Sequence, residues 1–179
     1  MKKYITLFLL TAITFVQAQE KIITKNGTIS FEASVPSFEE IKAKSATASA
    51  ILNTTSGEFA SLVLMKSFKF KIALMEEHFN ENYVESDKYP KATFNGKIQD
   101  FEYSKITTSP KSYTIKGILE MHGKSKEITT IATIRKVNGT LEMKADLTVN
   151  TDDFNIEIPS IVSKKVSKKV NIGLEFLMK

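Results

Sequence analysis

From Thr28 onward, apolar and polar residues alternate along most of the chain. Ile29, Phe31, Ala33 and Val35 interleave with Thr28, Ser30, Glu32 and Ser34. Phe68, Phe70 and Ile72 alternate with lysine and serine, and Phe94, Gly96 and Ile98 alternate with Asn95, Lys97 and Gln99. Tyr113, Ile115, Gly117, Leu119 and Met121 share one face of a further run. Leu141, Met143, Ala145, Leu147 and Val149 share another, and Val170, Ile172, Leu174 and Phe176 share the last. A period of two marks strands with one face in a core. Two more stretches, around 45–53 and 126–136, are rich in Ala, Thr and Ile with a weaker period. Asn26-Gly27, Thr55-Ser56-Gly57 and Asn138-Gly139 read as turns, because Asn and Gly accept positive φ. Asn138-Gly139 lies between two alternating runs and predicts a tight hairpin. Eight or nine short strands at this spacing predict an all-β sandwich or antiparallel barrel.

One stretch breaks the alternation. Between Ala73 and Val84, Leu74, Met75, His78, Phe79 and Tyr83 (or Asn82) recur at helical spacing, predicting a short amphipathic helix inserted between strands. It must end before Tyr89-Pro90, since the residue preceding proline avoids the helical region. Glu77, Glu81 and Glu85 would form its solvated face.

Small residues on the inward faces bear on function. An eight-stranded barrel either fills its interior with side chains or leaves room for one ligand. Ala46, Ala48 and Ala50 on one strand, and Gly96 and Gly117 on two others, stand beside Phe31, Phe94, Tyr113 and Phe176. Such a lining leaves an elongated apolar space, or else the small residues relieve bends and accommodate large neighbours.

The N-terminus differs from the rest. Lys2 and Lys3 precede an apolar run from Ile5 to Val16 and the sequence Val16-Gln17-Ala18. This is the pattern of a signal peptide, and the run is short for a membrane span. Residues 1–18 are expected to be removed, leaving a domain over 19–179 in the periplasm. There is no cysteine, so a lipoprotein anchor, disulfides and thiolate chemistry are not expected. The formal charge is +5, and two of the positive charges belong to Lys2 and Lys3. With Arg135 as the single arginine and no tryptophan, nucleic acid is a poor partner.

The segment from Phe68 to Ile98 resembles the signature of the YceI-like family. The matching residues are Met75, His78, Phe79, Glu85, Ser86, Lys88, Tyr89, Pro90, Ala92, Phe94 and Gly96, on an E-S-x-K-Y-P-x-A-x-F-x-G pattern. Downstream, His122, Gly123 and Lys126 match an H-G-x-x-K turn between two strands, and Asp153, Phe154 and Ile156 match a D-[FY]-x-I element. Glu76 and Glu77 stand where many relatives carry an arginine. The resemblance implies a lipocalin-like antiparallel β-barrel of about eight strands, exported to the periplasm, with a tunnel for a polyisoprenoid or quinone-like lipid. No cofactor beyond such a lipid, no metal and no catalytic residue is implied. Residues expected to touch the chain are Phe31, Phe70, Leu74, Met75, His78, Phe79, Tyr89, Phe94, Tyr113, Phe154 and Phe176.

Other candidates have bland alternatives. His78 either meets a polar lipid end or is an ordinary half-buried histidine. Lys164, Lys165, Lys168 and Lys169 either draw the protein transiently to an anionic membrane surface or guard a sheet edge. Asp152-Asp153 lacks the spacing of a calcium loop, and no nucleophile elbow, zinc pair or phosphate loop occurs. Three functions follow in order: a lipid holder, a packed barrel serving as an envelope stress or protein-interaction factor, and an enzyme on a lipid. The sequence leaves monomer and homodimer both open.

Overall fold

The computed structural model describes residues 20–179; the expected signal peptide lies outside them. The strands are β1 (Lys21–Ser34), β2 (Lys42–Asn53), β3 (Glu58–Leu64), β4 (Lys69–Phe70), β5 (Lys91–Ile98), β6 (Lys111–Met121), β7 (Lys124–Val137), β8 (Thr140–Asn150) and β9 (Val166–Met178). Eight of them pair antiparallel in the order β1-β9-β8-β7-β6-β5-β3-β2, and a β1–β2 ladder closes the ring. Closure leaves the long strands without a free edge along most of their length. The two-residue β4 is an extra pairing on β2.

Two hairpins use two-residue turns with both central residues at positive φ. Asn138 (49°) and Gly139 (79°) join β7 to β8, and His122 (51°) and Gly123 (70°) join β6 to β7. This turn matches the right-handed twist of its flanking strands. Thr54 to Gly57 turns β2 into β3 as expected.

Asn26-Gly27 is not a turn. β1 runs through it, and the β1–β2 register slips between Thr24 and Gly27 and again between Gly27 and Ile29. The glycine is required by packing: a Cβ there would lie 2.3 Å from the Phe176 ring. The second slip inserts a residue into β2, so Ala43 and Ser45 point inward below it, Ala48, Ala50 and Leu52 point inward beyond it, and Ala46 faces solvent. A one-residue slip turns a side chain to the other face, which a strict period of two could not anticipate.

The inserted helix is shorter than its pattern. α1 (Ala73–His78) ends in a π-helical turn over Phe79–Tyr83. Phe79 anchors it in a ring cluster, with centroids 5.3 Å from Phe31, 5.9 Å from Phe68 and 5.2 Å from Phe70. Burial of these rings, rather than helix propensity, holds so short an element in place.

Burial changes along the barrel axis. Near the end closed by Phe101 and Ile106, the inward residues Leu52, Ile98, Tyr113, Ile115, Ala132, Ile134, Leu141, Met143 and Met178 are almost wholly buried. Toward the other end, Phe31, Phe94, Leu119, Met121, Leu147, Val170, Ile172 and Leu174 also face inward but are only half-buried. One half of the barrel is a packed core and the other is hollow.

Candidate functional site

Buried and half-buried side chains together line a cavity of about 490 Å³. Its upper wall carries Phe31, Val63, Leu119, Ile128, Leu147, Val149 and Ile172, and its floor carries Ile29, Phe59, Phe94, Ile115, Met143, Ala145 and Phe176. The mouth lies between three segments. One follows β1 and supplies Phe38, Glu39 and Ile41; the second is α1 and its π-turn, with Met75, His78, Phe79 and Tyr83; the third runs from Ile156 to Val166. Side-chain charge is confined to this rim, in Glu39, Lys165 and the titratable His78. Deeper in the cavity the polar lining residues are uncharged, such as Ser61 and Thr130. An apolar, concave lining with few polar groups suits a hydrophobic ligand.

Seven of the residues expected at the site line this cavity: Phe31, Phe70, Met75, His78, Phe79, Phe94 and Phe176. Four do not. Leu74 sits on the outer side of α1 and is 56% exposed, because Met75 and Phe79 take the inward face. Tyr113 lies in the packed half, beside Phe101. Tyr89 and Phe154 belong to a second cluster.

That cluster centres on His122. Its Nδ1 is 2.8 Å from the carbonyl oxygen of Phe154, and its Nε2 is 2.9 Å from Oε2 of Glu85. Both partners are acceptors, so both bonds form together when each ring nitrogen carries a proton to donate. The Tyr89 ring stands edge-on to the imidazole at 4.4 Å. Beside it, the Lys126 ammonium donates to Asp153 and holds that carboxyl below the usual aspartate range. The three motifs of the family signature, far apart in sequence, thus meet at one point. Glu85 departs from the expected solvated face of the helix: at φ 44° the chain has left the helix, and its carboxylate turns to His122.

The cluster has a structural reason to exist. The β7–β8 ladder runs only from Val137↔Thr140 to Ala132↔Ala145, and beyond it the two strands part. The Thr130 hydroxyl, donating to the Asp146 carbonyl at 2.8 Å, bridges the start of this seam. The His122 and Lys126 contacts fasten the 3₁₀ turn Thr151–Phe154 across its far end. The sequence held the signal in the motifs themselves, but His122 read as a turn residue and Glu85 as surface.

Glu76, on the short helix, points away from the cavity. Its carboxylate accepts from Lys69 Nζ at 2.6 Å and from the Phe70 amide at 3.2 Å. The Lys69 hydrogen bond lowers its pKa. Among the described residues no group of three or more His, Asp or Glu side chains is placed to hold a metal ion.

A closed antiparallel barrel, half packed and half hollow, with an apolar cavity opening under a short helix, is a lipocalin-like calyx. The chain belongs to the YceI-like family, whose domain model matches residues 13–178. Solved structures agree on the fold. A polyisoprenoid binding domain from Saccharophagus degradans, implicated in plant cell wall breakdown, superposes with a TM-score of 0.76 at 14% identity, covering 89% of this chain and 97% of that one. BcnA of Burkholderia cenocepacia gives 0.71 at 17% identity, covering 86% and 96%. The Campylobacter jejuni YCEI protein gives 0.53 at 18%, covering 100% and 99%. No curated protein matches the sequence.

Proposed function

We propose that this protein is a non-enzymatic holder of a long apolar lipid, of polyisoprenoid or quinone type, which it carries or stores in the periplasm. The observation that carries this reading is the cavity: inward-facing apolar side chains that alternate as a core would, yet surround about 490 Å³ of space. A barrel serving only as a packed interaction module has no use for a hollow half. Burying each methylene contributes about 0.8 kcal/mol. Roughly ten of them give ~8 kcal/mol before the cost of immobilisation, a driving force for uptake that needs no headgroup contact. The similarity of fold to the polyisoprenoid binding domain of Saccharophagus degradans points the same way.

Periplasmic delivery rests on the charged and apolar N-terminus. Transient contact with an anionic membrane surface fits the mouth, where Phe38, Leu74 and Ile161 are exposed near Lys164 and Lys165. The test is native mass spectrometry of protein recovered gently from the periplasm, followed by organic extraction. A stoichiometric adduct that extracts as an isoprenoid or similar chain supports the reading. Bare protein that also fails to take up added prenols in vitro overturns it.

A further inference from the structure

The floor of the cavity is a layer of three phenylalanines set over glycines. Phe59 lies 6.2 Å from Phe94 and 5.8 Å from Phe176, centroid to centroid. Gly96 and Gly117 face one another across β5 and β6. Cβ atoms built on them would lie 2.8 and 2.6 Å from the Phe94 ring, which fills the hollow that these glycines leave in the wall. The Phe176 ring occupies the equivalent hollow at Gly27. Beyond this layer come Ile98, Tyr113 and Ile134, all almost fully buried and outside the cavity. The tunnel is therefore blind. Its depth depends on rings that stand over backbone, with no side chain from those glycines to replace them.

From this we infer that the Phe59–Phe94–Phe176 layer sets the longest apolar chain that the barrel takes up in full. The inference rests on the lipid-holding reading and makes it specific: the ligand class is one of bounded chain length, selected from inside the barrel rather than at the mouth. Each added methylene that enters the cavity strengthens binding roughly fourfold. Once the chain tip meets the ring layer, further carbons stay at the mouth and the gain stops. Removing the Phe94 ring deepens the tunnel, because the Gly96–Gly117 pair beneath contributes no side chain to collapse into the gap. Enlarging Ala145, a floor residue paired with Ala132 and Leu174, makes it shallower.

The experiment titrates the full mature chain with a ladder of prenols (geraniol, farnesol, geranylgeraniol and longer homologues) and finds the length at which affinity stops rising. The expected result is a defined limit in the parent, a limit longer by about one isoprene unit in Phe94→Ala, and a shorter limit in Ala145→Leu. General destabilisation would weaken every prenol alike and could not move the limit in opposite directions. Affinity that rises without limit, or a limit that both variants leave unchanged, overturns the inference while leaving lipid holding intact. A parent that binds no prenol at all overturns both. Phe176→Leu, with a melting curve beside it, repeats the deepening test at Gly27 should Phe94→Ala fail to fold.

Discussion

Replacing His122 by Asn tests whether the motif cluster is a clasp. Asn is chosen because it tolerates the positive φ of 51° at this turn, so the backbone is left alone and the side-chain contacts are removed. The Phe154 carbonyl loses its donor within a fully buried residue, which costs about 1–3 kcal/mol. The Glu85 carboxylate is 44% exposed, so water replaces most of its bond and the loss there is ~1 kcal/mol at most. The edge-on contact with Tyr89 adds about 0.5–1 kcal/mol. The sum is about 3 kcal/mol, or roughly 6–12 °C of melting temperature for a domain of this size. Urea unfolding at neutral pH measures it, and a double-mutant cycle with Glu85→Gln isolates the share of the Glu85 contact. A change below about 1 kcal/mol would refute the clasp, and would mean that the β7–β8 seam is held by its ladder alone.

Other outcomes follow from single contacts. Gly117→Ala places a Cβ 2.4 Å from the Asn95 carbonyl oxygen, so the strands must shift and urea melts should show a loss of about 1–3 kcal/mol. Gly139→Ala meets nothing within 4 Å and should lose only about 1 kcal/mol, from its positive φ; equal losses would argue against the close β5–β6 approach. The Arg135 hydrogen bond holds the Glu142 carboxyl below its ordinary value of 4.5. A depressed folded pKa gives stability that is complete above the unfolded value and lost as pH falls through the folded one. The parent should therefore weaken on acidification below that ordinary value, and Arg135→Gln should lose less over the same interval in urea midpoints. Identical pH profiles would dissociate Glu142 from the acid transition. His78→Ala, at an exposed rim position, should leave stability within about 0.5 kcal/mol and lipid retention unchanged; loss of retention would place a polar lipid end at that histidine.

The alternation of Leu141 through Val149, the Asn138-Gly139 turn and the interruption at Ala73–Val84 needed no tertiary information, because a period of two, a positive-φ dipeptide and helical spacing are local properties of the chain. They determined an all-β sandwich or antiparallel barrel with one inserted helix, and the motif residues pointed to the family and, through it, to the barrel. Position along the barrel axis is different. Phe31 and Tyr113 occupy equally inward positions on alternating strands, yet one lines the cavity and the other lies in the packed half. Ala46 and Ala48 have the same residue type and spacing, but a bulge turns the first to solvent. Glu85, His122 and Phe154 become neighbours only when β5, β6 and the turn after β8 are brought to one end. Periodicity tells a side chain which face of its own strand it is on. The level it occupies, and what stands opposite, follow from register, bulges and closure, which are properties of paired strands and so were decided by the tertiary structure alone.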